Sequence, residues 1–172
     1  MWLHLIRVCW GAAFLLSFPV IAEPVKTVYL IRHAEKMITE DHSRDPGLTP
    51  CGQKRAQALA DFFKSVPLQM IYSTNYQRTL HTAAPIASAR QLEVRQYDPN
   101  QLEHFAQTLQ QQPEQIILVV GHSNTTATLA GHLTGTSVTA LTETDFDRLY
   151  EVLLTQPQPQ LNVFHQTFRC AG

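Results

Sequence analysis

The stretch "QIILVVGHSNTT", residues 115–126, decides how the rest of the chain is read. Five consecutive apolar residues, Ile116 to Val120, predict a strand covered on both faces, which is the position of a central strand in a parallel sheet. Gly121 then permits a tight turn or a close backbone approach. Ser, Asn and Thr follow, so a helix starts close to Asn124 and ends before Gly135. His122 leaves the strand at the turn between the two.

The same alternation runs outward in both directions. "TVYLIRH" (27–33) is a first strand, and a polar loop through "ITEDHSRDPG" (38–47) leads to Thr49 and Pro50, a helix cap and first-turn proline. Ala56, Leu59, Ala60 and Phe63 recur at i, i+3, i+4 and i+7 and mark the buried face of that helix. "QMIYS" (69–73) is a second strand. The following "QRTLHTAAPIASA" (77–89) is helical, with Pro85 expected to kink it or start a new turn. "EVRQY" (93–97) is a third, more exposed strand, and Leu102, Phe105, Ala106 and Leu109 form the face of the next helix. The tail, 148–169, reads as two strands joined by a Pro/Gln connection, an antiparallel pair at a sheet edge. Strands alternating with helices predict an α/β fold: a three-layer α/β/α sandwich with a mostly parallel sheet and an antiparallel edge.

With 172 residues, 44% of them hydrophobic, and a net charge of −1, the chain fits one domain with a substantial core and no global field to attract nucleic acid. Its first residues read differently. Arg7 precedes the apolar "VCWGAAFLLSFPVIA" (8–22), and Val20 and Ala22 stand at −3 and −1 of a cleavage point before Glu23. Residues 1–22 are therefore expected to be a signal peptide and 23–172 a single exported domain, periplasmic or secreted, without stable membrane association after cleavage. A retained anchor is disfavoured because the apolar core is shorter than the ~20 residues that span a bilayer. Cys9 leaves with the signal, and an oxidising compartment permits, without requiring, a bridge between Cys51 and Cys170. No cysteine stands in a zinc-binding spacing.

In such sheets, ligands bind beyond the carboxyl ends of the strands. Arg32 and His33 are delivered there by the first strand, Arg78 by the turn after the second, and His122 by the central one. Guanidinium groups, imidazoles and a helix N-terminus around one point favour an anion, a phosphoryl group above all. Ser73 fits a phosphate-loop hydroxyl or a turn residue, and Glu35 a pocket contact or a loop salt bridge. His81, one helical turn beyond Arg78, reads as helix surface or as a support behind the pocket, and His42, His104, His132 and His165, without metal-ligand spacing, as ordinary structural histidines. The acidic "ETDFDRLY" (143–150) reads as a solvated edge leading into a strand rather than an orienting group for the pocket.

"LIRHAEK" (30–36), "LTPCGQKRAQALA" (48–60), "YSTNYQRTLHTAAPIA" (72–87) and "VVGHSNTT" (119–126) together resemble the histidine phosphatase superfamily, the phosphoglycerate-mutase-like proteins, in its branch of small phosphatases and mutases. The resemblance implies that His33 is a nucleophile forming a phosphohistidine while Arg32, Arg78 and His122 clamp the phosphoryl oxygens, with no metal or cofactor. It also implies an acid for the leaving group in the loop after the third strand, where Asp98 and Glu103 are the candidates and Asp98 is nearer the strand end. The expected activity is a metal-independent phosphomonoesterase acting on a phosphorylated small molecule, as a monomer. A phosphohistidine-protein phosphatase and a catalytically silent phosphate- or phosphosugar-binding module are the alternatives.

Overall fold

A computed structural model describes residues 25–38 and 44–170. The expected signal peptide, Cys9 and His42 lie outside the described residues. Ten elements follow one another: β1 (Thr27–Arg32), α1 (Pro50–Phe63), β2 (Met70–Ser73), α2 (Gln77–Arg90), β3 (Val94–Gln96), α3 (Leu102–Gln111), β4 (Ile116–Gly121), α4 (Ser123–Thr134), β5 (Arg148–Leu153) and β6 (Gln160–His165). The strands form one sheet in the order β3-β2-β4-β1-β5-β6. β3, β2, β4 and β1 run parallel, whereas β5 is antiparallel to β1 and β6 antiparallel to β5. The continuous apolar run thus occupies the middle of the sheet, and the tail supplies the antiparallel edge.

Strand periodicity divides the core into two layers. Val28 and Leu30 of β1 and Ile117 and Val119 of β4 face one side, where Phe105, Ala106 and Leu109 of α3 and Leu129, Ala130 and Leu133 of α4 cover them. Ile31, Leu118 and Val120 face the other, beneath Leu59, Ala60 and Phe63 of α1 and Ala83, Ile86 and Ala87 of α2. The central strands are therefore apolar over most of their length because both faces are dry. β3 sits at an edge and is largely exposed, in line with its polar sequence.

Local chemistry sets the helix ends that matter. Thr49 caps α1 by accepting from the Gly52 amide, and Pro50 occupies the first turn. α4 closes on Gly135, whose φ of 69° is left-handed and favours glycine. α2 runs unbroken through Pro85, contrary to the expectation of a new turn there. Packing of Ala83, Ile86 and Ala87 against the sheet holds the helix together across the missing donor.

Two contacts tie down the first turn of α1. Cys51 and Cys170 form a disulfide between residues 119 apart, tying the end of the chain to the first turn of α1. Gly52 packs directly on the Glu35 backbone: a Cβ placed there would lie 2.2 Å from the Glu35 carbonyl oxygen. Gly52→Ala should therefore push α1 away from the segment carrying His33, at a cost of about 1–3 kcal/mol for overpacking. Thermal denaturation checks this, with a fall of several degrees expected; an unchanged melting temperature would show that the helix shifts freely.

Candidate active site

Arg32, His33, Arg78 and His122 converge on one cleft of about 340 Å³ at the carboxyl ends of β1, β2 and β4. β1 and β4 pair in register up to Arg32 and Gly121, and the His33 amide continues the ladder to the Gly121 carbonyl at 2.9 Å. The two histidines are consequently neighbours, with ring centroids 5.5 Å apart. A side chain at 121 would strike Thr125 Oγ1 at 2.6 Å and the Tyr97 hydroxyl at 2.8 Å, so glycine is needed for this approach.

His33 is buried, and its Nδ1 lies 2.7 Å from the Ala34 carbonyl. A carbonyl only accepts, so Nδ1 carries the proton and Nε2 keeps its lone pair. Burial, reinforced by the charges of Arg32 and Arg78 and by His122, pushes the His33 pKa down to about 3. The ring is neutral at pH 7, with Nε2 free to act as a nucleophile. Its backbone is held in turn by the Ala34 amide, which donates to Thr82 Oγ1 at 3.0 Å, while Thr82 donates to the Arg78 carbonyl at 2.7 Å. The helix carrying Arg78 thus also fixes the loop carrying His33.

Thr74 holds His122 Nε2 at 2.8 Å, and Thr79 lies 2.9 Å from Thr74 in the same buried chain of hydroxyls. Burial, followed by the charges of Arg78 and Arg32, lowers the His122 pKa to about 4. Arg78 stacks on the Tyr76 ring, 4.4 Å from its centroid, and lies 3.7 Å from Asp45 Oδ1. Arg32 donates Nη1 to the Thr142 and Asp145 carbonyls and stands 4.2 Å over the Phe146 ring. Among the described residues, the Nε atoms of both arginines are buried without a hydrogen-bond partner. Two orphan cationic donors beside a neutral imidazole suit an anionic ligand that accepts from both.

Residues 28–100 match the sequence profile of the histidine phosphatase superfamily, branch 1. Over that stretch the chain is similar to that superfamily. No curated protein sequence matches it. Solved histidine phosphatase folds do. The alpha-ribazole phosphatase from Shigella flexneri is 19% identical over 81% of this chain and 96% of its own, with a TM-score of 0.68. The protein histidine phosphatase SixA complexed with tungstate is 16% identical over 81% of this chain and 96% of its own, also at 0.68. A mycobacterial glucosyl-3-phosphoglycerate phosphatase is 11% identical over 83% of this chain and 100% of its own, at 0.62. At these identities the likeness establishes the phosphoglycerate-mutase-like fold.

The remaining expected site residues are not gathered in the cleft. Ser73 is fully buried and donates its hydroxyl to the Thr74 carbonyl, because β2 turns that side chain into the protein. Glu35 accepts from Arg55 at 2.7 Å, a loop salt bridge, and is not among the residues lining the cleft. Asp98 is exposed and accepts from the Asn100 amide and from the Asn100 and Gln101 side chains, which lowers its pKa. A carboxylate so engaged is a turn former, poorly suited to donate a proton. Glu103 lies exposed in the first turn of α3. His81, His104, His132 and His165 are exposed, and His165 rests on Asp147.

Several cleft residues had no sequence signal of their own. Lys36, Tyr76, Asn100, Ser123 and Glu143 line it. Glu143 pairs with Arg32 at 3.0 Å, which corrects the view of 143–150 as only a solvated edge. Among the described residues, Glu35, Cys51 and Cys170 lie close enough to suggest a metal site. Their chemistry does not fit one: both sulfurs are joined in the disulfide and the carboxylate is held by Arg55.

The depressed histidines give a pH prediction. Between pH 6.5 and about 4 for His122, and about 3 for His33, the unfolded chain binds protons that the native chain refuses. Stability should fall as acid is added through that window. In the free protein, NMR titration of the imidazole Cε1–H signals should show no inflection for either ring above pH 5. A midpoint near 6.5 for either would mean that burial does not keep it neutral.

Proposed function

We propose that this protein is an exported, metal-independent phosphomonoesterase that hydrolyses a phosphorylated small molecule through a phosphohistidine on His33. The observation that carries the reading is the neutral Nε2 of His33 in one cleft with two arginines whose buried Nε donors are unmatched. In the first step Nε2 attacks phosphorus, a P–N bond forms and the bond to the leaving oxygen breaks, the departing alkoxide taking its proton from solvent. Arg32, Arg78 and His122 hold the phosphoryl oxygens and stabilise the charge that spreads over them. Water then attacks the phosphohistidine, the P–N bond breaks, and inorganic phosphate leaves with His33 restored. These side chains meet the charge requirement themselves, so EDTA should not inhibit.

A second reading, a phosphohistidine-protein phosphatase, is favoured by the position of Asp98 and Glu103. With neither carboxyl in the cleft, leaving groups that depart without an enzymic acid are the better substrates. Imidazole, which solvent can protonate before departure, is one of these.

Phosphate release from para-nitrophenyl phosphate, a panel of sugar phosphates and a phosphohistidine peptide, each with and without EDTA, tests both readings. Turnover of the aryl and sugar phosphates in EDTA supports the first, and turnover of the peptide alone supports the second. Phosphate binding without any turnover would make the protein a binding module. Export is supported by the apolar segment 8–22 and by the disulfide, which suits an oxidising compartment. Mass spectrometry of the protein from a bacterial periplasm should find a chain beginning at Glu23 with Cys51 and Cys170 joined. Sedimentation as a stable dimer would argue against the expected monomer.

A further inference from the structure

Glu143 lies on the connection between α4 and β5, at the wall of the cleft. Its Oε2 accepts from Arg32 Nη2 at 3.0 Å and its Oε1 from Ser123 Oγ at 2.8 Å. The two partners of this ion pair are held very differently: the Arg32 side chain is 1% exposed and that of Glu143 76%. Arg32 also keeps its position by other means, through the Thr142 and Asp145 carbonyls and the Phe146 ring. Glu143 is therefore not required to orient it.

The guanidinium has two working edges. Nη1 is committed to backbone carbonyls, so the edge left for two oxygens of one phosphoryl group is that of Nε and Nη2. Among the described residues Nε has no partner, while Nη2 is taken by Glu143. A phosphoryl group entering the cleft thus meets a carboxylate on half of the edge it needs.

We propose that Glu143 is a specificity-determining residue, an internal anion that a phosphoryl dianion displaces from Arg32 and that singly charged oxyanions do not. The inference rests on the reading of the cleft as a phosphoryl site. A dianion bonded to Arg32, Arg78 and His122 together gains more than the exposed pair loses. A phosphodiester meets the same displacement with half the charge. Ser123 retains the carboxylate near the rim and Lys36, also on the cleft wall, can receive it once displaced.

The test uses the full chain and Glu143→Gln, which preserves shape and an acceptor for Ser123 while removing the charge. Inhibition of para-nitrophenyl phosphate hydrolysis by inorganic phosphate and by dimethyl phosphate is measured at low ionic strength, where exposed charges are least screened. Phosphate should bind the variant about two- to fivefold more tightly, the effect of removing one partly exposed charge pair. Dimethyl phosphate should inhibit the variant at concentrations that leave the parent untouched. An unchanged or weaker phosphate inhibition constant overturns the inference, because Glu143 would then be neutral or a brace for Arg32. A parent protein that neither hydrolyses the aryl ester nor binds phosphate in calorimetry would overturn the phosphoryl-site reading itself, a distinct result.

Discussion

His33→Ala should lower turnover of para-nitrophenyl phosphate by on the order of 10⁴-fold or more, the scale of loss when a covalent nucleophile is removed. Phosphate binding should survive, because Arg32, Arg78 and His122 reach the cleft from other strand and helix ends and none depends on the imidazole for its position. The parent protein, quenched with alkali during turnover of a radiolabelled ester, should carry label on His33, since a phosphohistidine is stable to base and labile to acid. Undiminished turnover in the variant would remove the nucleophile, and with it the covalent route. A variant that is inactive yet binds phosphate would isolate the chemical step from recognition.

Arg32→Lys is the second large effect, with an expected fall of roughly 10²- to 10³-fold in turnover, the usual loss for a preorganised charge donor at a transition state. The substitution keeps the charge, so geometry alone is tested. The Arg32 guanidinium reaches two carbonyls with Nη1 and Glu143 with Nη2, lies over Phe146, and has Nε left for a ligand. An ammonium at the end of a flexible stem has no planar fork and cannot reproduce those directions. Circular dichroism and a melting curve would separate lost chemistry from lost folding. A folded variant with turnover within a few-fold of the parent would show that charge near His33 suffices and that the fork is not used.

The parts of the site visible in the sequence were those tied to strand ends. Arg32, His33 and His122 follow strongly apolar runs, and a parallel sheet necessarily presents such residues along one rim. Arg78 was legible because the turn after β2 leads straight into α2. Glu35 and Ser73 were ambiguous for a physical reason: in a loop or at a strand end, one residue's direction decides between cleft and core. Here β2 turns Ser73 inward, and Arg55, one turn into α1, claims Glu35. Asp98 had the correct location after β3, but its carboxylate closes its own turn.

The residues that organise the site had weaker signals still. Thr74 and Thr82 look like ordinary turn and helix threonines, yet one anchors the His122 ring and the other the amide after His33. The holder of the His33 tautomer is a backbone carbonyl, which no side-chain pattern could announce. Glu143 and Phe146 are more than one hundred positions from Arg32 and reach it only because β5 lies beside β1.

By itself the sequence determined the α/β class, the central place of residues 116–121, and the four cationic or proton-bearing groups at one rim, because hydrophobic periodicity and strand direction are local properties. Only the tertiary structure decided which carboxylates face the cleft, that Cys51 meets Cys170, and how each histidine ring is held. Those outcomes depend on side-chain direction and on contacts between distant segments, which are set when the layers pack together.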